Sequence, residues 1–475
     1  MTSHSAPLTS PRQKVLVVTG DPIGEKIAGP AIRAWNIAEY LADSHEVTLI
    51  SLSAVGRTHQ KFKVIFVSPH DPKLFDRFEA WADVIVFQGH AMEFFRSLQR
   101  STKILIADIY DPMHLEQLEQ ARSLPIQVWT DQVEQAATVL NQQMSRADFF
   151  ICASERQRIF YLGQLASLGR LNPANYEHDL NFRGLIDVVP FGLPRKFPVH
   201  DRQVLKGQLN GIAVDDKVLL WSGGLYNWFD PKTLIRAVTI LHVKHPNVRL
   251  FFQGTKHPNS GVPEMAIVKE SRDLAEELGV LDIAVFFNRS WVDYSDRHNY
   301  LAEADVGVST HYDHIETTMS FRTRILDYLW AALPIVATDG DFFAELIEQE
   351  GIGRVVAARD EVELAGALEE ALFDDAYIAE VKVNLRRVRE QFYWDRVLEP
   401  LGRFVERGQH SPDSGRAIDR ARRLAITGPG PRARMRFDFQ YYPRRFIYHF
   451  RTGGAGALTK ALTRAIDRFR RKVDL

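Results

Sequence analysis

The sequence predicts an α/β protein made of two Rossmann-like, doubly wound domains in series. Three observations carry that expectation. Short apolar runs alternate with longer amphipathic stretches, as in parallel strands joined by crossover helices. The rhythm lapses near the middle of the chain and then restarts. The 475 residues also exceed what one ordinary hydrophobic core organises.

Residues 14–19 (KVLVVT) read as the first strand, and GDPIGEKIAG as a glycine-bearing loop after it. Ala31, Ala34, Ala38 and Leu41 then mark one face of a helix. HEVTLISL reads as the next strand, followed by 84–89, 103–108, 149–154 and 186–192. The second series starts with KVLLWSGG at 217–224 and the helical DPKTLIRAVTILHVKH, and continues with VRLFFQG, IAVFFN, VGVST, PIVAT and GRVVA. The expected division is a disordered start at 1–13, a first domain at 14–193 and a polar linker at 194–216. A second domain at 217–390 follows, then a closing helix at 391–410 that returns to the first domain, and a basic tail at 411–475. Two such domains imply a cleft lined by the carboxyl ends of both sets of strands.

An apolar fraction of 45% and a charged fraction of 25% exclude a disordered chain, and a net charge of -1 gives no global preference for anions. The single cysteine, Cys152, forms no internal disulfide, and its apolar run FFICAS marks it as a buried structural thiol. With a start that lacks an apolar signal core, these features point to a cytoplasmic protein. No stretch approaches the roughly 20 apolar residues of a spanning helix, so membrane association is expected to be peripheral.

The loop from Gly20 to Pro30 holds Gly20, Gly24 and Gly29 ahead of a helix, where backbone can approach an anionic group. The spacing is not G-x-G-x-x-G and no acidic residue ends the second strand, which disfavours a nicotinamide enzyme. Ser320, Phe321, Arg322 and Thr323 precede a second helix, placing N–H groups and a guanidinium where a diphosphate would sit. The other reading of Arg322 and Arg324 is as solvated helix-start residues paired with nearby acids. Trp228 and Phe229 either line a pocket or close a loop as core aromatics. No Cys/His cluster has zinc spacing and no Asp-x-Asp triplet ends a strand, so no metal and no cofactor are expected.

GPAIRAWNIAEYLADSHEVTLIS, ADFFICASERQR, VVPFGL and EADVGVST, in that order, resemble phrases of the retaining family 4 glycosyltransferases, of GT-B fold and glycosyl transferases group 1 type. The resemblance spans about residues 14–405 and extends to SFRTRILDYLWAALPIVATDGD. It implies that Asp327 stands for the second glutamate of the family's Glu-x7-Glu motif, on the donor ribose. The first glutamate falls on Met319, with Glu316 as the nearest acid. In SGGLYNWFDPK, Gly223 and Gly224 keep a close backbone approach to the donor phosphates, but the family's arginine is missing. Lys232 is the nearest cation in sequence, and Lys256 in FFQGTKHPN is a second candidate. Residues 288–292 fall where the base-binding loop would lie. In ADIYDPMHLE, Asp111 matches the family's aspartate at the sugar and acceptor end and Tyr110 replaces its histidine. His114 either substitutes for that histidine or is a polar surface residue, and Gln88 and His90 are expected at the same cleft edge.

From Arg416 onward, 16 Lys and Arg face four Asp, a formal +12 that leaves the body at about -13. Leu458, Leu462, Ile466, Phe469 and Val473 share one helical face, and aromatics crowd FDFQYYPRRFIYHF. The pattern suits an anionic membrane surface through 441–475, with docking on the acidic body and nucleic acid as rivals.

The expected function is therefore transfer of a sugar from a nucleotide-sugar donor to a glycan or lipid-linked acceptor, with retention and without metal, in cell-envelope polysaccharide or glycolipid synthesis. Asp111, His114 and Arg322 are the expected catalytic residues. Gly29, Gly223, Gly224, Lys256, Ser320, Phe321, Arg322, Thr323 and Asp327 are the expected donor-binding residues. A nucleotide-sugar epimerase of the same fold, a non-catalytic sugar-nucleotide-binding scaffold and an oxidoreductase are the alternatives.

Overall fold

A computed structural model describes residues 12–255, 265–288 and 291–419. All the described residues belong to one compact unit. The basic tail beyond residue 419, Lys256, and residues 289–290 of the expected base loop lie outside the described residues.

This unit contains two wholly parallel sheets. The first comprises β1 (Lys14–Thr19), β2 (Glu46–Ser51), β3 (Lys63–Phe66), β4 (Val84–Gln88), β5 (Ile104–Asp108), β6 (Phe149–Cys152) and β7 (Ile186–Val188), in the spatial order 3-2-1-4-5-6-7. The second comprises β8 (Lys217–Gly224), β9 (Val248–Gly254), β10 (Val285–Phe287), β11 (Val306–Ser309), β12 (Ile335–Thr338) and β13 (Gly353–Val356), in the order 10-9-8-11-12-13. Strand order reverses between β1 and β4 and again between β8 and β11, and the loops after these strands flank the crevice where such sheets take ligands.

Both faces of each sheet are covered, which is why the strands read as continuous apolar runs. In β1, Val15 and Val17 join one buried cluster while Leu16 and Val18 join another on the opposite face. The strand β3 is an addition to the sequence reading. It is a four-residue edge strand, half-buried at its centre, and its KVIF is too short and too charged at its flank to stand out.

Local chemistry sets the helix starts. Asp230 caps the helix Pro231–Lys244 by accepting from Thr233 N at 3.0 Å, with Pro231 pre-set in its first turn. Ser154 does the same for Glu155–Ser167 through Gln157 N at 3.2 Å.

The chain crosses between the sheets twice, side by side. Leu193 N bonds to Phe392 O at 2.8 Å and Trp394 N returns to Leu193 O at 3.3 Å. Gly192 lets the strands touch, since a Cβ there would fall 2.5 Å from the Trp394 ring. After the second crossing, the helix Glu399–Arg407 packs Leu401, Phe404 and Val405 into the core beside Val15, Val17 and Leu49. The Phe404 and Phe149 rings stack there at 4.3 Å.

Candidate active site

The carboxyl ends of the two sheets face each other: among the described residues, hydrogen bonds across the cleft join loops and short helices that follow the ends of strands. Tyr294 N, after β10, bonds to Glu25 O, after β1, at 3.0 Å. Trp291 Nε1 reaches Ile27 O at 3.3 Å. Gln157, in the first turn after β6, donates at 2.9 Å to Tyr110 O on its own side and at 2.8 Å to Met319 O on the other. Arg156 reaches Gly340 O, after β12, at 2.8 Å.

On the second sheet's side, the helix Arg324–Ala331 runs back from the cleft over β8 and β11. It lies so close that a Cβ on Gly307 would fall 2.3 Å from the Tyr328 ring. Tyr328 donates to Leu220 O and Val308 O, at 2.9 and 2.8 Å, and accepts from Ser222 N at 3.0 Å. That lock places Asp327 at the end of β8, where Ser222 Oγ donates to its carboxylate at 2.7 Å. Arg297 Nε approaches the other oxygen at 3.4 Å, its guanidinium lying 3.7 Å from the centroid of Tyr294 and 4.5 Å from that of Trp330. Next to Ser222, Gly223 adopts φ +77°, and a side chain there would point into open space. Gly224 leaves room for the Tyr226 ring, which stacks on Trp228 at 4.8 Å.

Arg322 and Arg324 are not solvated. They are 6% and 7% exposed, and they sandwich Phe229 at 4.8 and 4.1 Å. Arg322 forms a fork with Glu316 at 2.9 and 2.7 Å, and Glu316, 1% exposed, also accepts from Ser320 Oγ. Behind the fork, burial would raise the Asp341 carboxyl. The hydrogen bond from His311 and the nearby Arg322 outweigh that effect and hold it below the usual range. Phe321 is buried against Phe342 and Phe343, so its side chain belongs to the core. Thr323 is the N-cap residue of the Arg324 helix, but its side chain makes no capping bond. Trp228 and Phe229 belong to the second domain's core cluster. Lys232 pairs with Glu270 at 2.9 Å on the surface.

On the first sheet's side, Asp111 follows β5 and contacts Glu116 in the helix Met113–Gln120. Burial raises both carboxyls, and Glu316 adds to each from across the cleft. Their mutual repulsion and hydrogen bond place the larger rise on Glu116, the form of a pair holding one proton between them. His114 lies on the Phe160 ring at 5.6 Å, and burial lowers its pKa, favouring the neutral imidazole. Beneath Tyr110, the fully buried Arg33 forks onto Asp108 at 2.7 and 2.9 Å and donates to Val189 O and Pro190 O. Gln88 also donates to Asp108, at 2.9 Å, and His90 pairs with Glu93. Both stand at the carboxyl end of β4, where Gln88 braces Asp108 and His90 is held by the Glu93 side chain. Gly29 begins the helix Gly29–Leu41, where a side chain would meet nothing within 4 Å.

Sequence reasoning missed Arg297, Glu116 and the Arg33–Asp108 pair. Arg33 alone left a signal, as a cation on an otherwise apolar helix face. Among the described residues, no group of three His, Cys, Asp or Glu is placed to hold a metal ion, and no helix is long and apolar enough to cross a membrane.

Residues 216–374 match the family model described as glycosyl transferases group 1. No curated protein matches the chain by sequence. Among solved structures, the sucrose-phosphate synthase of Thermosynechococcus elongatus is 17% identical, covering 83% of this chain and 99% of its own at a TM-score of 0.62. WaaG, a glycosyltransferase involved in lipopolysaccharide biosynthesis, is 17% identical over 82% and 98% at 0.55. Anabaena HepE, in complex with UDP and glucose, is 14% identical over 83% and 100% at 0.59. The fold is that of these structures. The chain thus has the GT-B fold, and residues 216–374, which carry Asp327, form a glycosyl transferases group 1 domain.

Proposed function

We propose that the enzyme takes a sugar from a nucleotide-sugar donor and attaches it to a glycan or lipid-linked acceptor, retaining the anomeric configuration and using no metal. The observation that carries this reading is Asp327, a carboxylate fixed by Ser222 at the end of β8, one residue from the open Gly223 turn and in the cleft that Asp111 faces from the other sheet. A vicinal diol fits such an acceptor, as the ribose of a nucleotide supplies. HepE, with the same fold, was solved with UDP and glucose.

In this reading the Gly223–Gly224 backbone and the segment from Ser320 to Thr323 surround the diphosphate. Arg322 contributes charge there while holding Glu316, and Gly29 lets the first domain's loop approach from above. The bond from C1 of the sugar to the diphosphate oxygen breaks, with its electron pair passing to the diphosphate. The acceptor hydroxyl attacks C1 from the same face and gives its proton to the departing oxygen. Preorganised cations and N–H dipoles meet the developing charge. Asp111, sharing a proton with Glu116, and His114 orient the sugar and acceptor hydroxyls. We place the reaction in the cytoplasm, in assembly of a cell-envelope polysaccharide or glycolipid, with the basic segment 441–475 against the anionic inner face of the membrane.

The test is incubation with UDP-, GDP- and ADP-sugars and lipid-linked or glycan acceptors, with and without EDTA. The product's anomeric configuration is read by NMR. Retained transfer in EDTA supports the reading. Donor converted to an epimer without acceptor, or binding with no turnover, replaces it with the epimerase or the scaffold. Thermal protection by NAD(P) alone replaces it with an oxidoreductase.

A further inference from the structure

Arg324 is a buried cation in the wrong place for stability. It is 7% exposed and occupies the first position of its helix, where the dipole is positive, with the second guanidinium of Arg322 beside it. Burial, with Arg322 adding, lowers its pKa to about 10. Among the described residues it has no ion-pair partner. Its neighbour Asp327 is engaged by Ser222 and Arg297. What holds Arg324 is one bond from Nη2 to Gly224 O at 2.8 Å and two aromatic faces, Trp221 and Phe229, each at 4.1 Å. Its other terminal nitrogen, Nη1, is buried without a hydrogen-bond partner.

An arrangement that buries a charge at a cost, and leaves one of its donors unused, is characteristic of a site for an opposing charge. Its location says which. Arg324 is bonded to the glycine loop that follows β8. Tyr226 in that loop feels Arg324 on one side, and Glu116, Asp21 and Asp111 from across the cleft. Asp327 lies three residues further along the same helix, so their Cβ atoms are about 5–6 Å apart. A ligand with its diol on Asp327 and an anionic group about one sugar further along would bring that group to Arg324.

Resting on the nucleotide-sugar reading above, we propose that Arg324 binds the donor diphosphate. It enters from the helix side and supplies the guanidinium that the loop Gly223–Asp230 lacks. Phe229 and Trp221 hold the fork flat, so that binding needs little reordering of the side chain. Arg322, its two terminal nitrogens forked onto Glu316, lies against the same Phe229 ring.

The test compares the full chain with Arg324→Met and Arg324→Lys by calorimetry, using UDP, ADP and GDP alongside uridine, adenosine and guanosine. Arg324→Met is expected to weaken the nucleoside diphosphate at least tenfold and leave the matching nucleoside unchanged, with Arg324→Lys recovering part of the loss. Equal losses for both ligands, or no loss in a folded variant, overturn the role of Arg324 and leave the donor reading standing. Binding of none of the diphosphates by the wild type overturns both. If Arg324→Met does not fold, the wild-type crystal structure with the bound diphosphate decides. A guanidinium nitrogen within about 3.2 Å of a phosphate oxygen supports the role, and a guanidinium beyond that reach overturns it.

Discussion

Ser222 donates its hydroxyl to Asp327 at 2.7 Å, while Tyr328, the next residue on the helix, accepts from Ser222 N at 3.0 Å. A strand end and a helix turn are thereby registered against each other by one serine. If Asp327 holds the ribose, Asp327→Asn loses a charged hydrogen bond of about 1.5–3 kcal/mol, or roughly 10- to 100-fold in affinity for the nucleoside. Ser222→Ala should cost less, because the carboxylate remains and only its aim is loosened. Calorimetry with nucleoside and nucleoside diphosphate reads both, and an unchanged nucleoside affinity in Asp327→Asn would remove the ribose from Asp327.

The Asp111–Glu116 pair makes a prediction about stability that needs no substrate. The folded pKa of each carboxyl is raised, mainly by burial and, on Glu116, by its partner. Between the unfolded value and the raised folded value the native state binds more protons, so stability falls as pH rises through that interval. Glu116→Gln removes the penalty. Its melting temperature relative to wild type should climb from about pH 4.5 upward, and a difference that is flat with pH would contradict the shared proton.

Arg33 is braced by Asp108 and two carbonyls with no access to water. Replacing it with Met strands the buried Asp108 and should cost about 3–5 kcal/mol. Chemical denaturation measures this, and Arg33→Met combined with Asp108→Asn should regain a good part of the loss. If the double variant is no better than the single one, the carboxylate is not what the arginine supports.

Cys152 is fully buried at the end of β6, its Sγ 3.6 Å from the carbonyls of Ser154 and Asp187, and burial pushes its thiol pKa well up. A thiol reagent should leave the native protein unmodified at pH 8 and label one site per chain as denaturant unfolds it. Rapid labelling without denaturant would show that β6 opens locally.

What was legible in the sequence and what was not have separate physical causes. The strand β1 was legible because it is buried on both faces and reads as an unbroken apolar run, whereas β3 is an edge whose exposed ends dilute the signal. Asp327 could be located because the phrase that carries the resemblance, SFRTRILDYLWAALPIVATDGD, is one unbroken stretch of sequence. Its partner Arg297 stands 30 residues earlier on another helix, and no local pattern ties the two. The sequence allowed Arg322 and Arg324 as solvated charges. Only the packing of Phe229 between them shows that they are buried. Glu116 was overlooked because an acid one turn into a helix is ordinary until Asp111 and Glu316 are brought up to it.

The returning helix Glu399–Arg407 also constrains how the protein is made. The first sheet is complete by Val188, but its core lacks Leu401, Phe404 and Val405 until some two hundred residues later. A ribosome delivering the chain from its amino end therefore releases a first domain with an open apolar seam, which has to stay unfilled while the whole second domain emerges. Synthesis order and folding order part company here: a helix that arrives after the whole second domain belongs to the core of the first.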